Sequence, residues 1–438
     1  MKSRKYLRWI LVLSVLVRLA ASLVLGDEVA PLPGVTDQLS YHNLAIRVLE
    51  GHGFSFGEPW WPVTAANAPT AHWSYLYTLY LVLVYAAFGV HAIAARLIQA
   101  IIVGILHPLL VYGIGKRLIN EKVGLVAALI SAIYGYFIYY SATLMTEPFY
   151  ILGILVVLYT VIRWAQDSSP VNRSLRYGFF VGIGVAATVL FRQLFLLAAP
   201  FILAWLIWVK VRQQQSWFPG VALSLAVVAL AILPFTIYNY QRFDRFVLLN
   251  TNAGFAFFWG NLPEYGTEFE PIMNSENRSY LSVIPDQYLG LDEAALDQAL
   301  LKEALGNILA DPTRYLLLSL SRIPPYFMFW PSPASGLISN LTRVGSFGLF
   351  LPFMLYGLYL WIRNRIGEAR FSFSHPLSLL VLFAVVYTGI HVLTWTLVRY
   401  RLPVDAVMIV FAGVGLTELG ERLWVRRRKN SASAAANA

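Results

Sequence analysis

Four short polar clusters stand out in an otherwise apolar chain: Thr36-Asp37 with Tyr41, Thr146-Glu147, Arg192-Gln193 and Arg399-Tyr400-Arg401. A carboxylate can take the proton of a hydroxyl group, and a well-placed general base is typically worth about 10²- to 10⁴-fold in rate. A guanidinium group matches phosphate oxygens with two parallel hydrogen bonds. Acids and arginines gathered on one face of a membrane suit the handling of a charged head group. Whether these clusters share a face is a question of topology.

The chain has 438 residues, of which 58% are hydrophobic and only 13% charged. Its mean hydropathy is +0.61. That is too apolar for a soluble core and fits an all-α polytopic membrane protein. The 13 tryptophans and 25 tyrosines suit side chains that line both membrane interfaces. A net charge of +10 in such a chain fixes orientation and meets anionic lipid, so nucleic acid is not expected as a partner. The absence of cysteine excludes disulfides and thiolate metal sites. The first apolar run, Tyr6–Leu25, is long for a signal peptide and contains Arg18, so it reads as an uncleaved span.

A span needs roughly 20 apolar residues. Ten runs qualify: Tyr6–Leu25, Ala94–Gly115, Val123–Tyr140, Pro148–Trp164, Tyr177–Phe191, Leu194–Val211, Phe218–Tyr238, Val344–Ile362, Pro376–Leu397 and Leu402–Leu423. Trp73–Phe88 and Tyr315–Trp330 are ambiguous, and counting them as crossings gives twelve spans. With ten, the basic loops around Lys116-Arg117, Arg163 to Arg176, Lys210-Arg212 and Arg363-Arg365 fall on one side with both termini, which is then cytoplasmic. The expected organisation is one transmembrane domain over residues 1–425. An outer loop covers about 26–93, a larger one covers about 239–342, and a disordered basic and Ser/Ala-rich tail covers 426–438. This places all four polar clusters on the outer face.

Each candidate has a plain structural role beside a chemical one. Asp37 opens a predicted short helix to Glu50, where it either caps the helix N-terminus or serves as a general base. Tyr41 lies four residues on and shares its face. Glu147 precedes Pro148 at the start of a span, as a helix-terminal acid or as a second acid facing the same cavity. Arg192 beside Gln193 either snorkels to the interface or meets a leaving phosphate. Arg399 and Arg401 are hard to explain as orientation signals at an outer edge, and only one of them need contact phosphate. Arg18, deep in a span, should face the bundle interior and pair with an acid or with backbone carbonyls. His107-Pro108 marks an expected kink, and His391 an interior position. The asparagines of Asn250-Thr-Asn252 and Trp259-Gly-Asn261 can hydrogen-bond a sugar, or form an ordinary turn. The histidines of the first loop lack metal-ligand spacing, so no metal site and no cofactor are expected. Three sequons, at Asn172, Asn277 and Asn340, carry little weight without a known compartment.

The order of these motifs resembles the polytopic GT-C glycosyltransferases, in particular the relatives of protein O-mannosyltransferases and of the lipid A aminoarabinose transferase. The matching elements begin with Asp37-x-x-x-Tyr41-x-x-x-Ala45, Gly51-His-Gly53-Phe54, Ala95-Arg96-Leu97 and Gly115-Lys-Arg117-Leu118. Thr146-Glu147-Pro148, Phe191-Arg192, Gly260-Asn261, Asp311-Pro312-Thr-Arg314-Tyr315 and Arg399-Tyr400-Arg401-Leu-Pro403 follow. The resemblance implies a catalytic acid at Asp37, a second acidic position at Glu147 and a lipid phosphate held by the later arginines. Many relatives carry a second acid directly after the first, whereas Gln38 stands here.

The expected activity is transfer of a sugar from a polyprenyl-phosphate donor to a hydroxyl of a lipid, protein or glycan, with inversion, at the outer face of a prokaryotic cell membrane. Asp37 and Glu147 are the catalytic candidates. Tyr41, Arg192, Gln193, Asn252, Asn261, Arg399, Tyr400 and Arg401 are the candidates for substrate binding. Two other classes remain open. An O-antigen ligase or polymerase would use pyrophosphate-linked donors, and the early Asp37 motif argues against it. A transporter of lipid-linked sugars would show paired broken helices or repeats, and the chain has none.

Overall fold

The computed structural model describes residues 2–31, 36–167, 171–270, 280–333, 335–367 and 373–436. Among these residues the protein is all α-helical, with only two isolated β-bridges in the first loop. Helix α1 (Lys2–Leu25) leads into a segment carrying α2 (Asp37–Leu49) and α3 (Tyr75–Phe88). Then come α4 (Ala92–Leu118), α5 (Glu121–Ile133), α6 (Gly135–Ser141), α7 (Glu147–Gln166) and α8 (Val171–Phe191). Helices α9 (Phe195–Arg212) and α10 (Phe218–Phe243) precede a long loop with α11 (Ala253–Gly260), α12 (Glu293–Ala310), α13 (Pro312–Ser321) and α14 (Ile323–Tyr326). The chain returns through α15 (Leu337–Arg343), a π-helical turn at Val344–Gly348 and α16 (Leu349–Gly367), and ends with α17 (Pro376–Leu393) and α18 (Leu402–Ala436).

Nine of the described helices are long and apolar enough to cross a membrane, and α5 with α6, bent by 55°, makes a tenth if the pair counts as one span. The run expected as one span over Val123–Tyr140 is thus divided between two helices. Tyr134 is extended at the break, and its hydroxyl donates to Asp405 Oδ2 at 2.8 Å. The freed N–H of Tyr136 donates to Ser346 Oγ at 3.2 Å, so the broken backbone keeps a partner. Helix α3 has 14 residues. At 1.5 Å per residue it reaches about 21 Å, short of a hydrocarbon core of about 30 Å. The other ambiguous run is split between α13 and α14, where Pro324 and Pro325 follow Ile323.

Small residues let the spans close. A Cβ on Gly178 of α8 would lie 2.0 Å from the carbonyl oxygen of Gly220 in α10, and one on Gly357 of α16 would lie 1.9 Å from that of Phe411 in α18. Lipid supplies little hydrophobic drive between helices, so such backbone contact carries the packing. Arg18 is fully buried and takes the second of its two expected solutions. It donates to the carbonyls of Ser131 and Ala132 at 3.1 and 3.2 Å and to Ser14 Oγ at 2.5 Å.

Two local expectations are corrected. The tail was expected to be disordered, but α18 continues to Ala436. Alanine and arginine are strong helix formers, and extending an existing helix needs no new nucleus. Asp37 is also not the cap of α2. Thr36 holds that place and makes no side-chain capping bond, while Asp37 is the first helical residue. An acid in the first turn still meets the positive end of the helix dipole. Of the sequons, Asn277 lies outside the described residues. Helix α4 runs unbroken through Pro108, with His107 buried beside it.

Candidate active site

The four polar clusters meet at one end of the bundle. Asp37 Oδ2 accepts from Arg399 Nη1 at 2.7 Å, although 362 positions separate the two residues. Arg399 Nη1 also lies 3.6 Å from Glu147 Oε1. The same Glu147 oxygen accepts from Arg192 Nη2 at 3.0 Å, and Arg192 Nε donates to Thr146 Oγ1 at 3.0 Å. These contacts tie the starts of α2 and α7, the α8–α9 turn and the α17–α18 junction into one site. The basic loops pair elsewhere, as in Lys116 with Glu121 and Lys122 with Glu421, both at 2.9 Å.

Local sequence explains each placement. Glu147 comes directly before Pro148, whose fixed φ suits the first turn of α7. Arg192 follows the last residue of α8, where Gln193 and Leu194 make a tight turn into α9. Arg399 lies in a 3-10 turn, Val398–Arg401, that feeds α18. The ring of Tyr400 sits between the two arginines, with each guanidinium 5.3 Å from its centroid. His391 stacks on that ring at 4.8 Å.

These groups open onto a cavity of about 790 Å³. Asp37, Arg192 and Arg399 line it together with Tyr41, Gln193, Asn252 and Tyr400. Tyr41 receives the Ser74 N–H at 3.4 Å and packs edge-on to Trp73. Burial, with Asp37 nearby, raises the Tyr41 pKa, so its hydroxyl keeps its proton. Gln193 donates to Asn252 Oδ1 at 2.7 Å and to the Asn250 carbonyl at 3.0 Å, which joins the α8–α9 turn to the long loop. Several buried polar atoms at the site have no hydrogen-bond partner among the described residues: Glu147 Oε2, Arg399 Nε, His391 Nε2 and Trp73 Nε1. Buried polar groups are rarely left unpaired, so these mark places for a polar ligand or water.

Two predicted site residues lie elsewhere. Arg401 is fully buried and turned away from the cavity, because Asp405 Oδ1 holds its Nε at 3.0 Å and the Tyr326 carbonyl accepts from its Nη1 at 2.6 Å. Two residues along a 3-10 turn point in different directions, so the neighbouring arginines separate. Asn261 is also buried away from the cavity. Its Oδ1 accepts from Arg322 Nη2 at 2.8 Å, and its Nδ2 donates to the Phe257 carbonyl at 2.7 Å. The Gly260-Asn261 motif is a packing device, since a Cβ on Gly260 would lie 2.3 Å from the Thr394 carbonyl oxygen.

Sequence reading missed the residues that hold the cavity walls. Glu293 is buried and accepts from Thr64 Oγ1 at 2.7 Å, from the Ala71 N–H at 2.8 Å and from Thr251 Oγ1. It joins the first loop to the second, yet in sequence it looks like one more acid in an acidic stretch. His72 and Trp61 also line the cavity, and burial lowers the His72 pKa so that it stays neutral. Arg96 holds the turn after α1 through the carbonyls of Leu25, Gly26 and Glu28. No cluster of three or more metal-ligating side chains exists among the described residues.

The architecture has close counterparts. The archaeal oligosaccharyltransferase AglB from Archaeoglobus fulgidus, solved with an inhibitory peptide and a dolichol-phosphate, superposes with a TM-score of 0.59 at 16% identity, covering 98% of this chain and 52% of that one. Its apo form gives 0.59 at 18% identity, covering 97% and 52%. Apo ArnT from Cupriavidus metallidurans gives 0.52 at 14% identity, covering 100% and 64%. The fold is that of the GT-C glycosyltransferases. Residues 73–238 also match the family model described as dolichyl-phosphate-mannose-protein mannosyltransferase. The matched segment contains Glu147, Arg192 and Gln193 but neither Asp37 nor Arg399. No curated protein sequence matches the chain. The chain spans about half the length of the AglB structures it resembles.

Proposed function

We propose that this protein transfers a sugar from a polyprenyl-phosphate donor to a hydroxyl acceptor, with inversion, at the extracytoplasmic face of a prokaryotic cell membrane. The observation that carries the reading is the Asp37–Arg399–Glu147–Arg192 cluster, three of whose members, Asp37, Arg192 and Arg399, line a cavity of about 790 Å³. The GT-C fold and the mannosyltransferase match over residues 73–238 support it. The positive-inside pattern supports the placement of the site.

In this reading the donor phosphate enters between Arg192 and Arg399 and competes with the carboxylates for their guanidinium groups. Asp37 then turns an oxygen toward the acceptor. The acceptor proton passes to Asp37, the acceptor oxygen bonds to the anomeric carbon from the far face, and the sugar–phosphate C–O bond breaks with its electrons on phosphate. Arg192 and Arg399 stabilise the charge on that departing oxygen. A phosphate ester leaves as a stable anion, so no general acid is needed. Glu147 holds both arginines and acts as a positioning residue.

The test uses the purified full chain with a labelled polyprenyl-phosphate sugar. Asp37→Asn should lower turnover by about 10²- to 10⁴-fold while donor binding survives. Turnover at the wild-type rate would remove Asp37 as the base. A product that keeps the donor's anomeric configuration would remove inversion.

A further inference from the structure

A second cavity, of about 750 Å³, lies between α7 and α8, and two of its lining residues, Phe180 and Ile183, are exposed on the outside of the bundle. On α7 its wall is Phe149, Val156, Tyr159 and Arg163, and on α8 it is Arg176, Phe180, Ala187 and Phe191. These positions recur at helical spacing, so each helix presents one continuous face. From Phe149 to Arg163 the groove is about 21 Å long at 1.5 Å per residue, which exceeds half of a hydrocarbon core of about 30 Å. Small residues set its floor. A Cβ on Gly153 would lie 2.4 Å from Thr188 Oγ1, so the two helices touch there and leave a trough beside them.

The two ends of the groove differ. Near the site, Phe149 stacks on Phe191 with centroids 5.5 Å apart, and this ring pair stands between the groove and the first cavity, which Phe191 also lines. At the far end, three arginines, Arg163, Arg173 and Arg176, face one carboxylate, Asp167. Arg173 lies 3.6 Å from Asp167, whereas Arg163 and Arg176 have no ion-pair partner among the described residues. Both lie back along the apolar wall, with guanidinium groups 5.8 Å from the Tyr159 ring and 5.9 Å from the Phe180 ring. Their charges sit at the mouth and their stems cover the walls.

We propose that this groove binds an anionic phospholipid of the leaflet opposite the active site, with its phosphate at Arg163 and Arg176 and one acyl chain along the α7–α8 trough. Charge complementarity selects the occupant, because an excess of positive charge crowns an otherwise apolar slot. The stacked pair Phe149–Phe191 argues against the donor's own tail, which would have to pass between those rings. Since α7 begins at Glu147, an occupied groove would also brace the helix that holds the arginine cluster.

Native mass spectrometry of the delipidated full chain tests this, with palmitoyl-oleoyl phosphatidylglycerol and phosphatidylcholine as probes. Wild-type protein should retain phosphatidylglycerol about thirtyfold better, the size expected for two arginines near an anionic lipid. The double variant Arg163→Ala, Arg176→Ala should lose the preference but keep weak binding of both lipids. Thr160→Phe, which fills the trough, should lose both. Equal retention of the two lipids by wild type would overturn the proposal. So would undecaprenyl phosphate displacing phosphatidylglycerol one for one, since the groove would then belong to the donor. The readout is lipid retention, so it stands independently of any transfer activity.

Discussion

Arg399 bridges Asp37 and Glu147, with Nη1 2.7 Å from the first carboxylate and 3.6 Å from the second. The guanidinium is nearly fully buried, yet its Nε has no partner among the described residues. Two acids hold a charge that keeps unused donor capacity, on a residue that lines the cavity. In the proposed reaction, this arrangement makes Arg399 the group through which the donor phosphate and the base would communicate.

Arg399→Lys keeps the charge and loses the planar fork. Charge-assisted hydrogen bonds contribute about 1.5–3 kcal/mol, so kcat/KM for a polyprenyl-phosphate sugar should fall roughly 10- to 100-fold. Steady-state kinetics with donor varied at fixed acceptor check this. A lysine variant with unchanged kcat/KM would show that the fork is not used.

Glu147→Gln keeps a hydrogen-bond acceptor for Arg192 and removes the charge that offsets two guanidinium groups. Phosphate should then bind more tightly on both sides of the reaction. Donor KM is expected to drop several-fold and kcat about tenfold, because the freed polyprenyl phosphate leaves more slowly. Product inhibition by undecaprenyl phosphate should strengthen in parallel, a change that simple loss of structure does not produce.

Glu293 accepts three hydrogen bonds that join the two loops. Glu293→Ala leaves three donors to find new partners, at a cost on the order of 3 kcal/mol. Thermal unfolding should shift downward, and limited proteolysis should cut near Thr64 and Thr251 before the spans. Protection equal to wild type would mean the loops are held elsewhere.

Asp297 gives a pH dependence of known sign. Burial raises its pKa to about 7, even though its Oδ1 accepts the Phe255 N–H at 3.1 Å. The folded state therefore favours the neutral form. That preference supports folding fully below the usual carboxylate range, near pH 4, and is lost as pH rises through about 7. Each pKa unit corresponds to 1.36 kcal/mol, and partial solvent contact reduces the net effect to on the order of 1–2 kcal/mol. Asp297→Asn should raise the melting temperature at pH 8, leave it nearly unchanged below about pH 4, and flatten the pH profile between them. Equal pH profiles for the two proteins would show that Asp297 ionises freely in the fold.

Hydropathy and charge alone determined the membrane class and the ten apolar runs, because burial in lipid demands long apolar helices whatever their neighbours do. They also placed Asp37, Glu147, Arg192 and Arg399 on one face, since helix count and basic loops fix which ends lie together. Contacts across the fold decided the rest. Arg399 enters the cavity while Arg401 turns to Asp405, a split that depends on the local 3-10 turn and on which acid α18 offers. Asn261 pairs with Arg322, and Glu293 became the joint between loops, because both depend on partners dozens to hundreds of positions away. The break at Tyr134 likewise rests on Asp405 and Ser346. Periodicity records which face of a helix is apolar, whereas the partner of a buried polar atom is chosen only when distant segments meet.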